Sequence, residues 1–95
     1  MNNLAINIPD PVELTRTLVG FDTINPPGNE RPCADHVGNL LESGGFSVSY
    51  HEFADTRTSL VARIGGSSEG KPLCFTGHID VVPLGGASWS VDPFA

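Results

Sequence analysis

The sequence predicts an α/β domain, and the main reason is that the hydrophobic period changes along the chain. Residues 10–20 and about 31–43 carry apolar positions three and four residues apart, which is helical spacing. Residues 46–53 instead alternate between apolar and polar positions, as half-buried strands do, and residues 58–64 form a second strand candidate through Leu60, Val61, Ala62 and Ile64. An apolar run at residues 72–77 has the length and β-favouring composition of a buried strand. Two helices, a hairpin and a third strand in this order indicate the opening of an α/β domain.

The first helix is predicted to begin at Asp10-Pro11 and to end at Gly20. An aspartate supplies an N-cap oxygen, and proline is preferred at the first helical position. Glu13 in the first turn suits the positive end of the helix dipole. The predicted buried face is a stripe at spacings of four and three residues, formed by Leu14, Leu18 and Phe21.

A turn-rich loop, residues 22–29, follows this helix and contains two consecutive prolines, Pro26 and Pro27, between Asn25 and Gly28. The prolines fix the backbone and remove two amide donors, so the loop belongs neither to a helix nor to a central strand. Two interpretations stay open. The loop is either a rigid wall of an active-site cleft or a connector between two helices, and the sequence alone favours the connector.

The second helix is predicted to begin near Asn29 to Arg31 and to run to about Ser43. Gly44-Gly45 then provides a stop with a residue that adopts left-handed backbone easily. The predicted apolar face comprises Ala34, Val37, Leu40 and Leu41, and the residues predicted to face solvent are Glu30, Asp35 and Glu42. Cys33 and His36 lie on one side of this helix, but no second ligand pair of zinc-finger type accompanies them, so a metal shared by these two is disfavoured.

An antiparallel hairpin is predicted after the second helix. Its strands run from Phe46 to Phe53 and from Thr58 to Ile64, and a turn joins them. His51 and Glu52 are neighbours on opposite faces of the first strand, so they do not act as a catalytic pair and are expected at the surface.

The predicted third strand, from Pro72 to Gly77, is followed by the two candidate site residues, His78 and Asp80. Residues i and i+2 of an extended chain project from the same face, so these side chains are expected to face one cleft. Imidazole is the commonest nitrogen ligand of zinc, and a neighbouring carboxylate can fix its tautomer and orientation. A His-x-Asp pattern by itself is more often a hydrogen-bonded histidine at a strand end, so it does not establish a metal site.

Composition argues against several classes of function. The 95-residue chain has a formal net charge of -6 and no basic patch, which disfavours nucleic acid and anionic membranes as partners. No apolar run approaches the roughly 18 residues needed to cross a bilayer, and no secretory signal is visible, so a cytoplasmic location is expected. Cys33 and Cys74 are expected to be reduced, buried thiols, and a disulfide between them is disfavoured.

Three stretches of the chain resemble one family of enzymes. FTGHIDVVP, residues 75–83, resembles the first metal-ligand motif of the dinuclear zinc hydrolases of acetylornithine deacetylase, succinyl-diaminopimelate desuccinylase, aminoacylase and carboxypeptidase G type. FDTINPPGNE, residues 21–30, is similar to the loop that follows the first helix of that family. WSVDPFA, residues 89–95, is similar to the segment that leads into its next motif.

The resemblance implies the N-terminal part of a zinc-peptidase-like α/β/α domain with a mixed sheet, so residues 1–95 are expected to be an incomplete N-terminal portion of the catalytic domain. It implies that His78 ligates a metal and that Asp80 is the catalytic residue that orients the His78 imidazole. The implied cofactor is Zn2+, two ions per intact site, with Co2+ or Mn2+ as substitutes. The bridging aspartate, the glutamate base and the other ligands would come from later sequence.

The implied function of the intact protein is hydrolysis of the amide bond of N-acyl amino acids or small peptides by metal-activated water. The partner is then a small-molecule substrate, and the resemblance allows a homodimer; the segment alone is expected to be inactive. The alternative from another class is a non-catalytic protein-interaction domain that uses an exposed strand edge. A metallophosphoesterase is a weaker alternative, because nothing in the chain supplies the further ligand-bearing motifs that such an enzyme needs.

Overall fold

The computed structural model describes residues 8–66 and 69–95, and its regular elements follow the predicted order. The helices are α1, Pro11–Val19, and α2, Arg31–Ser43; the strands are β1, Ser47–Ala54, and β2, Arg57–Arg63. The mixed α/β character is thereby confirmed. Over the described ranges the sheet consists of β1 and β2, so the larger mixed sheet with helices on both faces stays a prediction. Neither of these helices has the length and apolar character that crossing a membrane requires.

Helix α1 begins where its capping residue predicts. The Asp10 carboxylate accepts a hydrogen bond from the Glu13 amide at 3.3 Å, which satisfies one of the free donors of the first turn. Leu14 and Leu18 are partly buried, whereas the rest of the helix is exposed. The predicted stripe is therefore the inward side of α1, although none of its residues is fully buried.

Helix α2 carries the centre of the small core. Cys33 and Ala34 are buried, with 2% and 0% of their surface exposed. Gly38 is buried because the Tyr50 ring of β1 lies directly against it, where a β-carbon would collide with the Tyr50 hydroxyl. Gly45, with φ of 97°, supplies the left-handed residue that ends the helix.

Strands β1 and β2 form the predicted antiparallel hairpin, in which Tyr50 lies opposite Leu60. The register is regular until an irregularity between Glu52 and Ala54, next to the turn. Helix α2 packs against both strands. The Arg31 guanidinium at the start of α2 lies 4.6 Å from the centre of the Tyr50 ring, a cation–π contact that adds to this packing.

The prediction of a third, buried strand from Pro72 to Gly77 is wrong for this structure. Residues 71–80 have no regular secondary structure, and Leu73 and Phe75 are 82% and 89% exposed. A strand needs a neighbour that accepts its backbone hydrogen bonds and a layer that covers its apolar face. No segment within residues 8–66 or 69–95 provides either one to this run.

The two cysteines differ in burial, because one lies in the core and the other in the uncovered run. Cys33, in the core of α2, is buried as predicted, and burial raises the pKa of its thiol. Cys74 lies in the uncovered run and is exposed, so the prediction that it is buried is wrong. Both are free thiols in the structure.

Candidate functional site

Two segments that are far apart in the sequence meet at the candidate site. The first, called the site segment (residues 78–82), contains both predicted site residues. The second, called the proline loop (residues 22–29), connects α1 to α2. A shallow, open depression forms where they meet, lined by Asn25, His78, Asp80, Val81 and Val82.

Backbone hydrogen bonds from the proline loop hold the site segment. The Asn25 amide donates to the Val81 carbonyl at 2.8 Å, and the Val81 amide donates to the Thr23 carbonyl at 3.1 Å. These bonds form an isolated parallel bridge between Ile24 and Val81. Thr23, which is buried, also donates its hydroxyl to the Ile79 carbonyl at 2.6 Å. The loop is thus the connector that the sequence favoured and also lies directly beside the candidate residues.

His78 and Asp80 contact each other, although the segment that carries them is not a regular strand. The His78 Nδ1 atom lies 3.0 Å from the Asp80 carboxylate oxygen Oδ1 and 2.9 Å from the Asp80 backbone oxygen. An ionised carboxylate and a carbonyl are acceptors only, so Nδ1 is the nitrogen that carries the proton. The His78 side chain is 83% exposed. A neutral imidazole in this tautomer leaves the Nε2 lone pair free, which is the form that binds a metal.

The second carboxylate oxygen of Asp80, Oδ2, is held from two other elements. The Asn25 side-chain amide donates to it at 3.2 Å, and the Arg57 Nη2 atom lies 3.6 Å away. The Asn25 hydrogen bond lowers the pKa of Asp80 below its ordinary value; His78 and Arg57 act in the same direction, against desolvation, which raises it. The Asp80 carboxyl is therefore ionised at neutral pH and accepts a hydrogen bond from the Nδ1–H group of His78.

Arg57 is itself held by Glu30, which corrects a prediction from the sequence. Glu30 was expected to face solvent, but only 4% of its surface is exposed. The Arg57 Nε atom lies 3.1 Å from both Glu30 carboxylate oxygens, because a buried carboxylate needs a charged partner. Gly28 makes this approach possible: its φ is 77°, and a β-carbon there would come within 2.5 Å of Arg57 Nε.

The sequence left open that the proline loop lines the site, but it did not single out Asn25, Glu30 or Arg57 as neighbours of the candidate residues. Asn25 is 55 residues from Asp80, and Arg57 is 27 residues from Glu30, so neither helical nor strand spacing relates them. The available signal was the stretch that ends at Glu30, because it belongs to one of the motifs that resemble the hydrolase family.

The described residues do not by themselves form a complete metal site. Within residues 8–66 and 69–95, no three histidine, cysteine, aspartate or glutamate side chains are placed to hold one ion. The centre of the His36 ring lies 5.7 Å from that of the Phe21 ring. A catalytic zinc takes about three protein ligands. His78 is therefore the single candidate ligand, with Asp80 as its orienting partner, and both roles stay predictions.

Comparison with known proteins finds curated relatives that share one name. The chain is 39% identical over 88 residues to the succinyl-diaminopimelate desuccinylase of Wolbachia sp. subsp. Brugia malayi. This alignment covers 90% of this chain and 21% of the Wolbachia protein. The chain is 38% identical over 91 residues to the enzyme of the same name from Rhodospirillum centenum, and the alignment covers 90% of this chain and 22% of that protein. It is 37% identical over 90 residues to the enzyme of the same name from Ehrlichia canis, and that alignment covers 90% of this chain and 23% of the Ehrlichia protein.

The chain therefore spans about a fifth of the length of the curated relatives that it matches. No family model matches the chain. No solved structure matches it either.

Proposed function

The chain belongs to the hydrolase family that includes succinyl-diaminopimelate desuccinylase, and from this membership we propose that it forms part of a zinc-dependent amidohydrolase. The proposed reaction is hydrolysis of the amide bond of an N-acyl amino acid by metal-activated water. The observation that supports this proposal most is the hydrogen bonding and exposure of the His78 ring. Its Nδ1 is bound by Asp80, while the ring is exposed and Nε2 is left as a ligand.

The residues present fit one position of a zinc coordination sphere. His78 would hold the metal through Nε2, and the carboxylate–histidine contact at 3.0 Å is the arrangement that orients such ligands in zinc proteins. We place the remaining ligands, the general base and a second zinc in other parts of a longer enzyme. That placement agrees with relatives of which this chain spans about a fifth.

A zinc ion held by His78 and by ligands from elsewhere would supply Lewis acidity for the scissile carbonyl and for the attacking water. The residues of this chain prepare the ligand for that role. Asp80 keeps the proton on Nδ1 of His78, and its negative charge increases the electron-donating strength of the imidazole. Asn25 and Arg57 hold the Asp80 carboxylate in the orientation that this contact needs.

The proposed substrate is a small N-acyl amino acid. Since the relatives are named for succinyl-diaminopimelate, an N-succinylated amino acid is the first candidate. Acetylornithine, other N-acyl amino acids and small peptides follow, because they are substrates of the wider family that the sequence resembles.

A chimeric enzyme tests the proposed function. The 95-residue chain would replace the matching segment of the Rhodospirillum centenum desuccinylase, to which it is 38% identical over 91 residues. We expect the chimera to bind zinc tightly and to release succinate from succinyl-diaminopimelate, with acetylornithine and related amides assayed beside it. The isolated chain is the control. It should bind zinc weakly and show no measurable hydrolysis, because one imidazole with one nearby carboxylate does not complete a catalytic site.

Two results would contradict the proposal. Robust turnover by the isolated 95-residue chain would mean that the site lies elsewhere in it. A folded chimera that ignores zinc would favour the interaction-domain interpretation, for which the exposed apolar side chains of Leu73 and Phe75 would then be the contact surface.

A further inference from the structure

The Asp80 carboxylate is fixed by contacts from three different parts of the chain. His78, in the same segment, contacts Oδ1 at 3.0 Å. On Oδ2, the side chain of Asn25 in the proline loop donates at 3.2 Å, and the guanidinium of Arg57, at the start of β2, lies 3.6 Å away. With both oxygens engaged, the carboxylate cannot rotate without breaking at least one of these contacts.

The position of the Arg57 guanidinium is fixed by Glu30. Its Nε lies 3.1 Å from both oxygens of Glu30, whose side chain is 5% exposed, whereas the Arg57 side chain is 24% exposed. A buried carboxylate holds a guanidinium tightly, because each group would otherwise lose solvation without compensation. Gly28, with φ of 77°, leaves the space that the pair occupies.

We propose that Glu30 and Arg57 form a positioning pair that sets the orientation of Asp80 and, through it, the Nδ1–H tautomer of His78. This inference rests on the proposed function, in which that tautomer leaves Nε2 as the metal ligand. Glu30 and Arg57 touch neither substrate nor metal in this scheme. They act through Asp80, by holding a positive charge beside Oδ2 so that the carboxylate stays turned toward the imidazole.

If the pair had a purely structural role, the double substitution would have a different effect on the contact between His78 and Asp80. If Arg57 served only to neutralise buried Glu30, removal of both charges together would leave the contact between His78 and Asp80 unchanged. If the pair positions Asp80, the same double substitution loosens the carboxylate, and the imidazole loses its preference for a proton on Nδ1. The tautomer of His78 therefore separates the two roles.

The test is nitrogen NMR of the histidine side chains in the 95-residue chain at pH about 8, which is above the pKa of a free imidazole. The variants are the double substitution Glu30→Gln/Arg57→Gln, which leaves no buried charge unpaired, and Arg57→Lys, which keeps the charge. Arg16→Gln is the matched control, because Arg16 also pairs with a glutamate, Glu13, at 2.9 Å but on an exposed surface.

We expect Nδ1–H to predominate at His78 in the unmodified chain, in the Arg16→Gln control and, more weakly, in Arg57→Lys. In the double variant the ratio of the two His78 tautomers should fall by at least about threefold toward that of exposed His51. An unchanged ratio in the double variant would overturn the proposal. So would a His78 that already matches His51 in the unmodified chain.

Kinetics of the chimera supply a second readout. The double variant should lower kcat by about tenfold and leave KM unchanged, because the substrate is not contacted by the pair. Equal activity of the double variant and the chimera would also overturn the positioning role. The NMR experiment needs no zinc, so an inactive chimera would count against the proposed function and leave the tautomer result to decide this inference.

Discussion

The hairpin and the site segment are held in different ways. The hairpin pairs its two strands residue by residue from Ser47 opposite Arg63 to the irregularity near the turn. The site segment has a single parallel bridge, between Ile24 and Val81, and otherwise depends on side chains from the proline loop and from Arg57. Local pairing therefore fixes the hairpin, whereas the site segment is ordered by contacts between residues distant in sequence.

The two regions also carry histidines in different environments. His51, on β1, has a serine hydroxyl, that of Ser49, 3.2 Å from its Nε2 atom. His78, in the site segment, has the Asp80 carboxylate 3.0 Å from its Nδ1 atom. A carboxylate fixes the tautomer that leaves Nε2 as a metal ligand, while a hydroxyl can act as donor or acceptor and fixes neither. The less regular region therefore contains the histidine that is better oriented for the proposed role of metal ligand.

Substitution of Arg57 by alanine should have the largest effect, because it separates the hairpin from the site segment. It leaves Glu30 buried without a cationic partner, and breaking such a pair costs about 3 kcal/mol of unfolding free energy. Arg57 also lies 5.2 Å from the centre of the Phe53 ring, and that contact is lost as well. Urea denaturation of the chimera measures the change.

Arg16→Ala is the control for this prediction. The Arg16 and Glu13 side chains are 68% and 65% exposed, and exposed pairs of this kind contribute at most about 0.5 kcal/mol. Equal losses of stability in the two variants would mean that the Glu30–Arg57 pair is no more important than a surface ion pair.

Asp80→Asn should have an intermediate effect, confined to the site segment. The amide cannot accept as strongly from His78 Nδ1, so the imidazole loses its fixed orientation. We expect the chimera to retain most of its zinc while turnover falls by about 10–100-fold. Metal analysis beside kinetics checks this, and unchanged turnover would refute the role assigned to Asp80.

Thr23→Val should have the smallest effect, limited to the bridge. Valine keeps the shape of the buried threonine but removes the donor to the Ile79 carbonyl, which costs about 1 kcal/mol. Hydrogen exchange of the Val81 amide should accelerate about fivefold, while the Tyr50 amide in the hairpin exchanges as before. Acceleration of both amides alike would mean that the two regions open as one unit.

This contrast explains how much of the fold the sequence predicts. The start of α1 follows from the Asp10 cap, the end of α2 from Gly45, and the hairpin from the alternation of residues 46–53 and the β-favouring run that follows the turn. Each of these signals lies within the element that it specifies, so local physical chemistry is enough. The contact between His78 and Asp80 was also predictable, because it joins residues two positions apart.

The failures concern interactions that no local pattern encodes. The run around Phe75 has the composition of a buried strand, but composition does not state which segment would pair with it, and it is 89% exposed. The sequence predicts that Glu30 faces solvent, because nothing near it in the chain indicates its contact with Arg57 at the start of β2. Asn25 gives no sign of its bond to Asp80, 55 residues away.

The most direct test of the central claim compares the two histidines in the chimera. His78→Ala should reduce zinc content and lower the release of succinate by at least about 100-fold, the upper end of the losses caused by residues that only orient a ligand. His51→Ala, in the exposed hairpin, should change neither quantity. Loss of zinc and activity in the His78 variant alone is the predicted result. Full activity and full zinc content of the His78→Ala chimera would contradict the assignment of this residue as a metal ligand.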